Sequence, residues 1–446
     1  MASFSPSNFT DRGTFEKFKD SIDPAWVEAA LAATGTASIR RRRLPAEQAL
    51  WLVLGMALFR DMPISTVVEH LQLTLPGSGA GKIAPSAVVQ ARSRLGDEPL
   101  RWLFERCATE WALSSAREFA WRGLALFGID ATTVRLQDST ENRDTFGGQR
   151  GRHGDFSGYP QMRVTTLMAL RSHLLAAVNF GAYELGEMTL AKGLFEQLPE
   201  NSLAIVDRGF AYPATLIPVE QMGGNRQWLT RARKNHSWTV VERLGKGDCI
   251  VEMRLSRSTL ERTPGLPEVW RVRAVDYKRR GFRAQTLLTS LLDPKAYPAS
   301  ELVALYHERW EIELGFDEVK TEMLERQESI RSKTPTGVRQ EFWGIALAYN
   351  LVRLEMQRAA ALAGVAPTRL SFVNSLRAIR YWLVYFALLS PGNLPKTLER
   401  MRDEIAGYVL PPRRSERWYP RSVKIKMSNY DRKRTPATQG RRRRAK

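Results

Sequence analysis

Cysteine is nearly absent, with only Cys107 and Cys249 in 446 residues. Two thiols build neither a disulfide framework nor a cysteine-based zinc site, and they suit a reducing cytoplasm. Histidine is almost as scarce. The five imidazoles, at 70, 153, 173, 236 and 307, are too scattered to suggest a transition-metal cage. Long apolar runs are missing too. The longest, near residues 49–59 and 382–389, fall far short of the ~20 residues a membrane span needs, and the N-terminus carries no signal core. No Gly-x-Ser-x-Gly elbow supports a serine nucleophile. The glycine-rich loop at 76–82 is not a phosphate loop, because Ile83 follows Gly81-Lys82, Pro76 holds the leading glycine position and no strand precedes it. Acidic residues are in deficit, 47 against 67 Lys+Arg, which leaves a net charge of +20 and a pI near 10.2. That excess favours a polyanionic partner, nucleic acid ahead of a membrane surface. Residues 411–446 hold 14 basic and 2 acidic side chains, so this tail alone supplies +12.

What is present is enough for two or three domains, since 43% of the chain is hydrophobic and 12 tryptophans are available for cores. The expected fold class is multidomain α+β. Residues 1–120 read as a helical domain, with helix starts at Asp23-Pro24, Pro45, Ser65 and Pro85-Ser86. Two basic patches there, the four arginines at 40–43 and the pair Arg92 and Arg94, fit either a helix-turn-helix-like DNA reader or a packing domain with a solvated basic loop. From about residue 121 to 335 the pattern changes to short buried strands and period-two runs. The order strand, strand, strand, helix, strand, helix, strand is that of a ribonuclease-H-like α/β core. Residues 236–295 are strand-rich and read as an inserted β subdomain. A helical C-terminal region at 336–410 and a basic tail at 411–446 complete the chain.

The chemistry gathers at three carboxylates. Asp130 and Asp207 each end an apolar strand run, and unpaired carboxylates are costly at buried strand ends, so each needs a cation, a donor or a cleft. Parallel neighbouring strands would bring both to the edge where α/β sheets bind ligands. The third, Glu313, lies in a helical stretch with Tyr306, Arg309 and Lys320, at offsets 0, +3, +7 and +14 from Tyr306. On an uninterrupted α-helix those four fall within about 60° of one another. By itself that face could be a solvated surface with an Arg309–Glu313 ion pair. Together with two aspartates, three oxygen ligands without His or Cys suit Mg²⁺ or Mn²⁺, and a pair of such ions performs in-line phosphoryl transfer.

The spacing Y-x2-R-x3-E-x6-K at 306–320 resembles the signature of one large branch of bacterial insertion-sequence DDE transposases. Asp130 before Ala-Thr-Thr and Asp207 in Asp-Arg-Gly-Phe are similar to that branch's first two acidic motifs, and the β insertion and helical N-terminal domain also match. The resemblance implies Asp130, Asp207 and Glu313 as metal-binding triad, with Tyr306, Arg309 and Lys320 contacting DNA near the cleaved strand. It further implies cleavage of terminal inverted repeats, joining to target DNA, a hairpin at the excised end and a synaptic homodimer acting on double-stranded DNA in the bacterial nucleoid. The hairpin step asks for an aromatic that holds a flipped base, for which Trp238, Trp270 and Trp310 are available. A ribonuclease-H-fold nuclease that cuts without joining and a non-catalytic DNA-binding protein are the alternatives.

Overall fold

A computed structural model describes residues 21–36, 44–70, 84–150, 158–279, 283–325, 329–386 and 394–412. The arginines at 40–43, the loop at 76–82, residues 151–157 and the basic tail beyond 412 lie outside the described residues.

The N-terminal region holds α1 (Pro24–Ala33), α2 (Ala46–Leu58), α3 (Ile64–His70), α4 (Pro85–Leu95) and α5 (Glu98–Glu118). The Asp23 carboxylate accepts the Ala25 N–H at 2.9 Å and starts α1, with Pro24 where no backbone donor is needed. α2 is buried over most of its length because it runs against the long helix α12 (Pro335–Ala363). Gly344 permits that approach: a Cβ there would lie 2.8 Å from Val53 Cγ1 and 3.2 Å from the Val53 carbonyl oxygen. Beyond the end of α2, Arg60 donates to Glu341 Oε1 at 2.6 Å and also bonds the Ser329 carbonyl. The other Glu341 oxygen accepts from the Ser332 backbone N–H at 3.1 Å and its hydroxyl at 2.7 Å. The Arg60 and Glu341 side chains are only 3% and 1% exposed, so this pair fastens the N-terminal helices to the rest of the protein from inside.

The centre is one sheet. β1 (Ala125–Leu136) is followed by α6 (Thr140–Phe146), the antiparallel pair β2 (Gln161–Ala169) and β3 (Leu175–Ala182), α7 (Glu187–Phe195), β4 (Ser202–Val206), α8 (Pro213–Gln221) and β5 (Arg226–Arg231). β1, β4 and β5 are parallel, and the order β3-β2-β1-β4-β5 is that of a ribonuclease-H-like core. The inserted strands are β6 (Thr239–Gly245), β7 (Asp248–Arg254), β8 (Val269–Tyr277) and β9 (Gln285–Thr289), with α9 (Arg257–Arg262) between β7 and β8. They lie between β5 and the helix that begins at Ala299, as an insertion in the core. β9 pairs antiparallel with β5, so the insertion extends the same sheet outward as β9-β8-β7-β6. α10 (Ala299–Glu308) and α11 (Trp310–Asp317) follow, then β10 (Ser329–Ile330) on β1, α12, α13 (Phe372–Phe386) and α14 (Leu394–Ala406).

Alternation along the strands sends side chains into two cores. Leu126, Leu203, Ile205 and Leu229 face the N-terminal helices and α12, whereas Phe127, Ile129, Ala204, Val206 and Trp228 face α7 and α8.

Burial raises the Glu341 carboxyl, but Arg60 and the donors of Ser332 and Arg331 outweigh it and leave it below the ordinary value. A depressed folded-state pKa gives stability that is present above about pH 4.3 and is lost as pH falls toward the folded value. Glu341→Gln should therefore cost about 3–5 kcal/mol at pH 7 by leaving Arg60 buried and unpaired. It should also flatten the loss of stability between neutral pH and acid, which denaturant titrations of both proteins at pH 7 and pH 3.5 would measure.

Candidate active site

The site begins with register. Ile129 pairs with Val206 in the parallel β1–β4 ladder, so the next residues, Asp130 and Asp207, stand side by side. Ile205 pairs with Leu229 in the β4–β5 ladder, which carries the same row on to Arg231. By alternation all three share the face of Leu203, Ile205 and Leu229, the face covered by α10 and α11. Asp130 does not end its strand as expected. β1 continues to Leu136, paired with β2 and then β10; what ends at Ile129 is its pairing with β4. The carboxylate is thus mid-strand, one residue beyond the end of the β1–β4 pairing.

Glu313 comes down from above. Ile312, fully buried, packs over Gly128, two residues before Asp130; a Cβ on Gly128 would lie 3.4 Å from Ile312 Cδ1 and 2.7 Å from Leu170 Cδ2. Gly315 does the same against β2, where a Cβ would meet Met168 Cε at 2.3 Å. These two glycines let α11 rest directly on the strands.

The segment stays helical through Arg309, which keeps right-handed angles (φ −51°, ψ −31°), but its pitch is not uniform. α10 ends at Glu308, α11 begins at Trp310, and Glu318–Met323 forms a π-helical stretch. One constant angle per residue therefore does not describe 306–320, yet Tyr306, Arg309 and Glu313 still converge. Arg309 donates to Glu313 Oε1 at 2.7 Å and reaches Asp130 Oδ2 at 3.7 Å, bridging the two carboxylates. Burial works against the Arg309 charge, but Glu313, Tyr306 and Asp207 outweigh it and raise its pKa. Tyr306 is buried, which pushes its phenol up to about 12 against the pull of Arg309 and Arg231, so it remains a neutral donor at physiological pH. Burial pushes Asp130 up to about 6; Asp207 and Glu313 add to the rise, and the Ala131 N–H and Arg309 oppose it. Asp207 Oδ1 accepts the Arg208 N–H at 2.5 Å, and the Thr230 hydroxyl donates to the Asp207 carbonyl at 3.2 Å. Lys320 lies in the π-helical stretch, seven residues past Glu313.

Among the described residues, no group of three His, Cys, Asp or Glu already stands at metal-holding distance, and Arg309 lies between two of the candidates. The donor set still fits a hard divalent ion. Burial raises Asp130 and the charges of Asp207 and Glu313 add to the rise, an electrostatic demand that such an ion would meet.

Some expected residues sit elsewhere. Arg92 is turned inward, its guanidinium donating to Gln340 Oε1 at 2.9 Å and Ser332 Oγ at 3.2 Å, so it braces α4 against α12 and does not fit the expected DNA reader. Arg94 is exposed at the end of α4. Trp270 is buried and donates to Glu220 Oε1 at 3.1 Å beside Trp228, which removes it from the base-holding candidates. Trp238 is half-buried and Trp310 is 43% exposed. Arg231 was not anticipated; its signal was its place at the end of a parallel strand, the same criterion that marked the aspartates.

Residues 121–351 match the family model described as "Transposase DDE domain", and residues 12–105 match "Insertion element 4 transposase N-terminal". The transposase InsG of insertion sequence element IS4 from Escherichia coli (strain K12) is 38% identical over 423 residues, covering 94% of each chain. The chain belongs to the IS4 family of DDE transposases. The transposase is therefore a DNA-cleaving and strand-transferring enzyme, and the domain match spans Asp130, Asp207 and Glu313. A putative transposase InsZ of the same organism is 34% identical over 226 residues, 50% of this chain and 74% of that protein. The cryo-EM structure of a piggyBac transposase synaptic complex with hairpin DNA covers 95% of this chain and 90% of its own at 11% identity and a TM-score of 0.47, too loose a likeness to argue from. No helix among the described residues is long and apolar enough to cross a membrane.

The seating of α11 is testable in the transposase itself. Gly128→Ala should be nearly neutral because the flexible end of Leu170 can yield. Gly128→Val should lift Ile312, cost about 1–3 kcal/mol and slow strand cleavage. Melting temperatures and single-turnover cleavage of a terminal-repeat duplex would compare the two variants.

Proposed function

We propose that the transposase cuts the terminal inverted repeats of its own insertion sequence and joins the freed 3′ ends to target DNA. The route is cut-and-paste through a hairpin at the excised end, carried out on the bacterial nucleoid by a homodimer that holds two double-stranded ends together. The observation that carries this reading is the row of Asp130 and Asp207 on one sheet face, with Glu313 lowered onto it by α11 and tied to Asp130 through Arg309.

In this reading Asp130, Asp207 and Glu313 hold two Mg²⁺ or Mn²⁺ ions. Bound there, the ions would activate the attacking water or 3′-hydroxyl and stabilise the leaving oxygen. Each of the chain's own groups has a part beside them. Arg309 neutralises the carboxylates in their absence and is free to turn to a DNA phosphate once they are neutralised otherwise. Tyr306, kept protonated by burial, donates a hydrogen bond to the strand. Arg231 extends the cationic lining from β5, and Lys320 holds a phosphate further along the strand. Arg94, exposed on α4, contacts the duplex away from the site. Trp310, exposed and one residue past Arg309, would hold a flipped base at the hairpin step.

Asp130→Asn, Asp207→Asn and Glu313→Gln should each reduce strand cleavage in Mg²⁺ by about 10³-fold or more while retaining terminal-repeat binding. Wild-type cleavage by any of the three would remove that residue from the triad. Incubating the wild-type protein with a terminal-repeat oligonucleotide and supercoiled plasmid should give joined products; free ends alone would identify a nuclease that does not join.

A further inference from the structure

Behind the site lies a second cluster of charged side chains that the reaction does not use directly. His173, in the tight turn between β2 and β3 at φ +62°, is almost fully buried. Its Nε2 stands 2.9 Å from Glu311 Oε2, and its Nδ1 stands 2.6 Å from Arg353 Nη2. An arginine can only donate, so Nδ1 accepts and Nε2 carries the proton that goes to Glu311. The 3.4 Å approach of Nδ1 to Glu318 Oε2 is then a contact between acceptors. Glu318, the first residue of the π-helical stretch, is clasped by Arg353 at Oε1 and by the Tyr349 hydroxyl at Oε2, the latter at 2.8 Å. Arg353 is 1% exposed and lies over the Phe372 ring at 5.2 Å. Three residues earlier on α12, Asn350 bonds both the N–H and the carbonyl of Leu175, so this stretch of α12 is fixed to the sheet.

Burying this many charges is costly unless each is paired, and a paired buried cluster holds its elements in one arrangement. The cluster grips the signature segment at two points: Glu311, two residues before Glu313, and Glu318, two residues before Lys320. Between them the backbone passes from α-helix to π-helix, a change that rotates everything downstream relative to an uninterrupted α-helix and that often marks functional sites. Nothing in the local composition demands it, since the stretch from Glu318 to Met323 contains neither Gly nor Pro.

We propose that His173, Glu311, Glu318, Tyr349 and Arg353 form a positioning lock that holds the π-helical turn and thereby aims Lys320 at the scissile strand. The inference rests on the assignment of Lys320 as a DNA-contacting residue of the active site. Glu318 and Arg353 are positioning residues, acting through Lys320 and not on the DNA.

The test is a double-mutant cycle in the full-length protein with a terminal-repeat duplex, reading single-turnover cleavage, duplex affinity and melting temperature. Glu318→Gln should slow cleavage by roughly 100-fold, the cost of misplacing a catalytic group by about 1 Å, with affinity within about twofold. Lys320→Ala should slow it as well, and the double variant should cleave no more slowly than the slower single variant. Tyr349→Phe, which removes a single hydrogen bond, should show the same pattern in smaller measure and serves if Glu318→Gln does not fold. Rate losses that multiply in the double variant, or that simply follow the fall in melting temperature, would overturn the lock. Wild-type cleavage by Lys320→Ala would overturn the Lys320 assignment beneath it, an outcome recognisable without the second mutation.

Discussion

The parallel pairing of β1 with β4 is the constraint on which the rest depends. Its register, running from Ala125 opposite Ser202 to Ile129 opposite Val206, places two aspartates in adjacent positions on one face. A slip of one residue would turn one carboxylate to the opposite face, toward α7 and α8. The register is secured by burial: all five residues of β4 are inaccessible, and its neighbours on β1 alternate between two filled cores.

Such a placement carries an electrostatic cost, visible in Asp130, which burial and its two acidic neighbours push up to about 6. Arg309 meets that cost internally by spanning Asp130 and Glu313. A cation binding to the carboxylates and a phosphate approaching from outside would both compete for the contacts of that guanidinium. On the proposed reading the arginine would be the element through which occupancy of the site and grip on DNA are coupled. The same preference for internal pairing runs through the protein, from Arg60 with Glu341 to Arg353 with Glu318.

Much of this was legible in the residues. The runs 124–129 and 202–206 announced themselves as short apolar strands, and the aspartate positions followed from where those runs stop. Asp130 was read one step wrongly because the residues beyond it alternate small and polar with apolar, the pattern of a strand that has left the sheet centre and runs along its rim; whether a run ends or only loses one neighbour depends on pairing. The changes of pitch in the signature segment were illegible for another reason. Every residue from 299 to 323 is compatible with an α-helix, and Tyr349 and Arg353, the partners that clasp the π-helical turn at Glu318, are remote in the chain. The inward turn of Arg92 was illegible on the same grounds, since its partners Ser332 and Gln340 are also remote. Charge patterns along a sequence show which residues could face solvent, and only tertiary contacts show which do.

The central claim is that the three carboxylates bind divalent metal as a set. Electron paramagnetic resonance titration of Mn²⁺ into the transposase bound to a terminal-repeat duplex measures this without relying on turnover. Two ions per protomer are expected for the wild-type protein, with loss of at least one in each of Asp130→Asn, Asp207→Asn and Glu313→Gln at unchanged duplex affinity. Wild-type Mn²⁺ stoichiometry and affinity in any of the three variants would contradict the claim.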